Sequence, residues 1–524
     1  MVELERLGEQ HMEPSSVENV TGVARGPNAV LRPNSTGEVQ ALVRQAREDC
    51  QALYPISKGL NWGYGSRSPV GPGNTLVDLS GMNRIRNADQ ISRDHPIAVI
   101  EPGVTQGQLF GFLAERCPDL TFNVTGAGTE TSLIGCGLER GVGYYGPRRE
   151  DLFGLEVVTG TGEILKTGFR RLGEESPLAH LHPDGLGPIL DGLFFQGNFG
   201  IVTSACLRLR PRRPREVAVS LALYRSAELG TLIDTLAQLK RDGLLTSVTH
   251  IGNRARNHST LTYGVTQYLE THSGRTPEQA LKEAGRVLGL LAPNEWATLA
   301  AVTGNAGQVR AALREIRRRT KRLARVMVIT DRLLDVGFAI THALRFLPFA
   351  RASAAAIHAM RPLHRLALGE PTDIPIENLL WKFGHPNMNT HELDASRCGL
   401  LFVNPALPLS GALVMDVIAG MEAIAKRHGH VLYTTLNIET MTSMVAVINL
   451  LFDRTDPEQL ERAHRCADEL LRYVQERGLS PYRARIDMMD KIVSADDPYW
   501  QTIRRLKTVF DPDNIIAPGR YNLP

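Results

Sequence analysis

The chain is predicted to fold as an α+β protein of two domains, the first of them discontinuous, and three observations carry the prediction. Its 524 residues exceed what one ordinary hydrophobic core organises. Up to about Arg210 short apolar strands alternate with glycine turns, whereas beyond it strands alternate with helices in two batches. After the last long helical stretch, FDPDNIIAPGRYNLP (510–524) returns to the turn-rich style of the first third.

Taken in order, ALYPIS (52–57) reads as a short buried strand, and residues 36–48 place apolar side chains at helical spacing. AVIEPG, LEVVTGTGEIL and GIVTSACLRLRP read as further strands, and PRRPR (211–215) breaks the pattern like a domain joint. EVAVSLALY, TSVTHIGN, EWATLAAVTG and RVMVIT then alternate with helices, one opened by Thr276 with Gln279 completing a capping box and another running from Gln308. GLLFVNPALP, VLYTTLNI and MVAVINLLF repeat the theme, with helices over 411–428 and 457–478. Two such batches predict paired ferredoxin-like units sharing a large antiparallel sheet. The expected boundaries are 1–215 for the first domain, 216–480 for the second, and 481–524 for a segment returning to the first.

Composition narrows the class. A net charge of +3 argues for neither a nucleic-acid nor an anionic-surface partner. The arginine-rich stretch 310–325 has no interleaved aromatics for base stacking, so a solvated helix face is expected, with a partner-docking face second. The first sixteen residues lack the apolar core of a signal peptide. The most apolar region, 333–347, is interrupted by Asp335, His342 and Arg345, so no membrane span is expected. Six cysteines without CxxC spacing suggest neither a metal site nor a disulfide framework, and the expectation is a reduced, cytoplasmic protein.

Two strings carry the chemistry: PISKGLNWGYGS (55–66) and GCGLERGVGYYG (135–146). Both read as backbone laid against a large, planar, anionic ligand. Gly59, Gly63 and Gly65 free the loop after the first strand for positive φ, and consecutive exposed N–H groups make a nest suited to a pyrophosphate. There is no GxxxxGK[ST], and no GxGxxG opens a helix with an acidic residue about 20 positions on. A dinucleotide here would be held by loops rather than by a Rossmann crossover.

With EPGV (101–104), LERGVGY (138–144), QGNFGIVT (196–203) and NIIAPGRY (514–521), these strings resemble the vanillyl-alcohol oxidase and para-cresol methylhydroxylase (4-cresol dehydrogenase) group of flavoproteins, in the family's order from residue 55 to the C-terminus. The resemblance implies FAD as cofactor, an FAD-binding domain completed by the tail, and a ferredoxin-like cap domain over the substrate. Carried over by position, the loop holding Ser57, Gly59, Asn61, Gly63, Gly65 and Ser66 would wrap the pyrophosphate. Ile134, Gly135, Gly137, Gly141, Gly143 and Tyr144 would line the flavin. Gly197, Asn198, Ile201 and Thr203 would contact adenosine or ribityl groups, and Arg520 in the tail is a further cofactor contact.

The resemblance also implies a phenol anchor, a tyrosine in the first loop plus a Tyr-Arg pair near the C-terminus, here Tyr64 with Tyr482 and Arg483. A para-substituted phenol donates hydride better as its anion. Two phenolic donors and a guanidinium stabilise that anion with charge-assisted bonds worth about 1.5–3 kcal/mol each. The alternative for Tyr482 and Arg483 is a strand edge with a surface ion pair.

The chain departs from the family in three places. Leu400 falls where the oxidases carry a flavin-linking histidine, and Cys398 lies two residues away as a buried apolar cysteine, so FAD is expected to be noncovalent. The oxidases' active-site aspartate has Glu130 as its nearest counterpart, displaced by about three positions, and a base role is assigned to it on that basis. The segment 141–151 lacks the family's usual spacing after GVGY, which remodels the pocket rim.

The resulting expectation is an FAD-dependent oxidoreductase, oxidase or dehydrogenase, that moves a hydride from a benzylic or alcohol carbon of a para-substituted phenol to flavin N5. The electron acceptor is dioxygen or another partner, and a homodimer is left open. Rival readings are oxidation of a non-phenolic alcohol or amine in a biosynthetic pathway, and a flavin-fold protein that binds without turnover.

Overall fold

The computed structural model describes residues 18–23 and 25–523. The reading of the first sixteen residues therefore lies outside the described residues.

The strand Leu53–Ile56 pairs in parallel with Thr75–Asp78, which pairs in turn with Ala29–Leu31. Helix Thr36–Glu48 covers this sheet. Its buried Val39, Leu42, Val43 and Ala46 recur at helical spacing, and the Ser35 side chain caps its first turn by accepting from the Glu38 N–H. A second sheet runs Ile97–Ile100, Gly200–Arg208, Leu152–Thr159, Ile164–Lys166, antiparallel throughout. Val39 and Leu53 from the first unit share one apolar cluster with Val158 and Ile201 from the second and Ile516 from the tail.

The tail is knitted into the first sheet. Leu53 donates its N–H to Ile515 O and accepts from the Ala517 N–H, both at 2.7 Å, so the tail adds one parallel bridge at Ile516. Asp511 accepts from the N–H groups of Ile515 and Ile516 and pairs with buried Lys507 at 2.8 Å. A carboxylate that replaces two lost ladder partners fixes the turn before the tail. The first domain is thus discontinuous.

Arg215 opens the other layer, an antiparallel sheet of eight strands. Its first batch, Arg215–Leu223, Thr249–Asn253, Trp296–Gly304 and Ala324–Ile329, stacks in the order 4-1-3-2, the ferredoxin-like arrangement. The second supplies Cys398–Phe402 and Ala406–Pro408 along one edge, then Tyr433–Ile438 and Ser443–Asp453, joined to the first through the pair Thr249–Asn253 and Tyr433–Ile438. With Cys398–Phe402 and Ala406–Pro408 counted as one interrupted strand, this batch has no fourth among the described residues. Where that strand would run, the chain leaving helix Pro457–Glu476 touches the edge only briefly: the Ala406 N–H donates to Ser480 O at 2.9 Å and the Tyr482 N–H to Asn404 O at 3.1 Å. The following residues turn away toward the first domain.

The Thr276–Gln279 capping box forms as expected. The helix read as starting at Gln308 begins at Ala306, because Asn305 is the cap and Gln308 is the third helical residue that closes a second box. The arginine-rich face is solvated and self-paired, with Arg318 and Arg319 on Glu315 and Arg319 also on Asp242. Among the described residues no helix is long and apolar enough to cross a membrane.

Candidate active site

Between the two layers lies a cavity of about 430 Å³. One wall is the loop after strand Leu53–Ile56. Among the described residues, none of the backbone N–H groups of residues 58–63 has an acceptor. A run of unpaired donors facing a cavity is a nest waiting for an anion. Three further buried donors on the same lining lack hydrogen-bond partners, Trp62 Nε1, Arg483 Nε and Arg520 Nη1. The donor set, the positive φ at Gly59, Gly63 and Gly65, and the cations Lys58 and Arg520 fit a dianionic dinucleotide such as FAD.

The predicted anchor residues meet at one end of this cavity. The Arg483 guanidinium carbon lies 4.0 Å from the centre of the Tyr64 ring, whose other contact is a stacked Phe402 at 4.9 Å. The Tyr64 oxygen accepts from Asn404 Nδ2 at 2.5 Å and from the Tyr482 hydroxyl. Its own O–H is left to donate. Arg483 is not at a surface strand edge: its guanidinium donates to the Asn61 side chain and stands 3.5 Å from Glu139.

Burial sets the protonation states here. It pushes the Tyr64 and Tyr482 hydroxyls up from 10, against the lowering effect of Arg483, so both stay protonated. It works the other way on Arg483, but Tyr64 and Glu139 more than offset it, so the cation is retained. Burial would raise Glu139 too, yet Arg520 at 3.0 Å and then Arg483 hold it below the usual carboxylate range. The result is one free phenolic donor, Tyr64, held by Tyr482 beside a fixed guanidinium, with the compensating carboxylate shared between two arginines.

Of the residues read from sequence, Ser57, Gly59, Asn61, Ser66, Ile134, Gly135, Gly141, Tyr144, Asn198, Ile201 and Arg520 line the cavity with Tyr64, Tyr482 and Arg483. Gly63, Gly65, Gly137, Gly143 and Gly197 do not. They let backbone approach protein instead: a Cβ on Gly197 would sit 1.7 Å from Leu193 O, and one on Gly63 would sit 2.4 Å from the Phe402 ring. Thr203 is fully buried, its hydroxyl donating to the Glu156 carboxylate at 3.0 Å, so it turns away from the ligand. Glu130 is half exposed, outside the cavity lining and 3.6 Å from Lys58. The geometry gives it no place beside the anchor. Leu400 is part of the wall, while Cys398 lies fully buried with its thiol pushed far up by burial.

Two residues of consequence were not singled out from sequence. Asn404 holds the Tyr64 hydroxyl through its amide and the Tyr482 backbone through its carbonyl, and its own Oδ1 accepts from the Ile448 N–H at 2.9 Å. A polar residue closing the apolar strand LLFVNP was the available signal. Glu139 had one as well, a carboxylate inside an otherwise small and apolar glycine string.

Comparison with known proteins agrees with this geometry. An FAD binding domain family matches residues 27–168, and the FAD linked oxidases C-terminal domain family matches residues 406–521. The chain is 31% identical over 515 residues to 1'-carboxy-chondrochloren decarboxylase of Chondromyces crocatus, covering 94% of this chain and 90% of that protein. It is 26% identical to the 4-cresol dehydrogenase (hydroxylating) flavoprotein subunit of Pseudomonas putida, over 96% and 89% of the two chains. The fold is similar to that of 4-ethylphenol oxidase from Gulosibacter chungangensis, with a TM-score of 0.79 at 23% identity, covering 100% of this chain and 93% of the other.

Proposed function

The chain belongs to the vanillyl-alcohol oxidase and para-cresol methylhydroxylase group of FAD-dependent oxidoreductases, and from that premise we propose that it removes a hydride from the benzylic or alcohol carbon of a para-substituted phenol. One observation carries the reading: Tyr64, Tyr482 and Arg483 come together on the lining of the cavity that also carries the unpaired N–H run of residues 58–63.

A phenol oxygen entering that end meets the Tyr64 O–H, which Tyr482 and Asn404 hold through its oxygen, and a guanidinium. Charge-assisted bonds of about 1.5–3 kcal/mol each favour its anion over the neutral phenol. Glu139 tempers the gain by drawing on the same guanidinium, though Arg520 takes part of that carboxylate's charge. Asn404 and Phe402 hold the Tyr64 ring in place, so the donors are oriented before the ligand arrives. The apolar wall of Ile376, Leu379 and Leu400 keeps water from the side chain para to the oxygen. FAD, when bound, supplies the hydride acceptor. The unpaired N–H groups of residues 58–63 would hold its pyrophosphate, and Asn198, Ile201 and Arg520 would hold other parts of it. With leucine at position 400 the attachment is noncovalent. Six free thiols support the cytoplasmic reading.

The activity named for the Chondromyces crocatus relative gives a second reading, in which a carboxyl group of the substrate is lost after hydride removal. A cavity arginine without an anion favours it and is taken up below.

Anaerobic mixing of the purified flavoprotein with 4-cresol, 4-ethylphenol and, as the non-phenolic comparison, benzyl alcohol tests the proposal. Bleaching of the yellow flavin by the phenols alone is the expected result. Bleaching by benzyl alcohol alone transfers the assignment to non-phenolic alcohols.

A further inference from the structure

Every cation on the cavity lining but one has a carboxylate within 4.0 Å. Lys58 faces Glu130 at 3.6 Å, and Arg483 and Arg520 share Glu139. Arg256 also lines the cavity, yet among the described residues it has no carboxylate within 4.0 Å and no side-chain hydrogen bond. It sits in the first turn of helix Arg254–Ser273, directly after strand Thr249–Asn253 of the cap sheet. Burial lowers its proton affinity, so the fold holds a cation there at a cost. A half-buried cation on a cavity lining, with no carboxylate of its own, is expected to have an anion as its occupant.

The surroundings specify that occupant further. His250 and Asn437, paired across neighbouring strands, share a hydrogen bond of 2.7 Å between Nδ1 and Oδ1, and the His250 ring packs against Tyr144 at 4.4 Å. Asn449, also on the lining, has a buried Oδ1 with no donor. Asn449 is the register partner of Phe402 and so belongs to the anchor side; the Arg256 and His250 end and the phenol anchor lie at opposite sides of four adjacent strands, from Thr249–Asn253 across to Cys398–Phe402. Three strand spacings separate them, roughly 14 Å, shortened by the reach of the arginine side chain. The nest that would take the FAD pyrophosphate belongs to the other layer. The anion at Arg256 is thus carried by the substrate, at the end remote from its phenol.

We propose that Arg256 binds a carboxylate on the para side chain of the substrate, so that the enzyme selects phenolic acids over neutral alkylphenols. The proposal deepens the phenol reading and rests on it for the position of the second end. A guanidinium offers two parallel N–H donors to a carboxylate, and no carboxylate of the protein competes for them.

Calorimetric titration of the FAD-loaded protein with three probes tests it: 3-(4-hydroxyphenyl)propanoate, 4-ethylphenol and 3-phenylpropanoate. The hydroxyphenyl acid should bind at least tenfold more tightly than 4-ethylphenol. Arg256→Met should abolish that preference with 4-ethylphenol affinity and flavin content unchanged, and Arg256→Lys should restore part of it. If 3-phenylpropanoate binds through Arg256 while 4-ethylphenol does not bind at all, the carboxylate site stands and the phenol reading fails. Equal binding of the acid and 4-ethylphenol, or loss of FAD from Arg256→Met, would overturn the proposal, the latter by showing that the arginine serves the cofactor.

Discussion

The guanidinium of Arg483 stacks over the ring of Tyr64 at 4.0 Å, although the two residues come from opposite ends of the chain. The contact exists because the second ferredoxin-like unit leaves out its fourth strand. A full strand at that edge would carry residues 480–484 along the sheet. Instead the chain is held for one hydrogen bond on each side, then crosses to the first domain, where the Ile486 N–H donates to Tyr64 O at 3.1 Å. The missing strand is what delivers the charge to the phenol anchor.

Removing that charge should be costly for catalysis and neutral for the cofactor. Arg483→Met is expected to lower kcat/KM for a para-alkylphenol by about 30-fold or more, corresponding to about 2 kcal/mol of transition-state stabilisation. Flavin content should hold, since Arg520 remains to pair with Glu139. Normal turnover by the variant would remove the guanidinium from the account.

Acid precipitation should leave the yellow colour in the supernatant, as expected of noncovalent FAD beside Leu400. A pellet that fluoresces under ultraviolet light would indicate a covalent link. Cys136 would then be the residue to examine, because it is the one cysteine on the cavity lining.

Ending the chain after Asp511 should lose FAD along with stability. The truncation strips Leu53 of both backbone partners and removes Arg520 from Glu139. Full flavin occupancy in the truncated protein would show that the tail is dispensable to the cofactor.

How far the sequence reached can be judged on particular residues. The glycine strings announced close approach, but a glycine does not say what approaches. Gly59 and Gly135 line the cavity, whereas Gly63 and Gly197 make room for Phe402 and Leu193. Tyr64, Tyr482 and Arg483 were readable through the family resemblance, which puts a tyrosine in the first loop and a Tyr-Arg pair near the C-terminus. Asn404 and Arg256 were not, since a single polar residue at the end of a strand or in the first turn of a helix has many ordinary explanations. Asn404 takes its meaning from long-range pairing, and Arg256 from its place on the cavity lining, neither of which local pattern encodes. The sheet order was legible from the strand–helix rhythm, and the omitted fourth strand was hidden because PYRAR reads like any short connection.

Acid should destabilise the protein through His250. Burial pushes its imidazole down to about 4, with the Asn437 hydrogen bond working against the shift, so the folded state holds it neutral. Its unfolded value is about 6.5. Between those values the unfolded chain binds the extra proton, so this contribution is complete above pH 6.5 and is lost as pH falls toward 4. It amounts to roughly 1–3 kcal/mol. Urea denaturation at pH 7.5 and pH 5 should show a smaller difference for His250→Gln than for the wild type; an identical difference would place the acid sensitivity elsewhere.

The central claim is that the anchor binds its phenol as the anion, and the ultraviolet difference spectrum of a bound, slowly reacting para-substituted phenol reads that state directly. At pH 7, about three units below the ordinary phenol pKa, the wild-type holoprotein should show phenolate absorption at saturation, and Arg483→Met should show the neutral spectrum. A neutral phenol bound to the wild type, or phenolate bound equally well by the variant, would contradict the account.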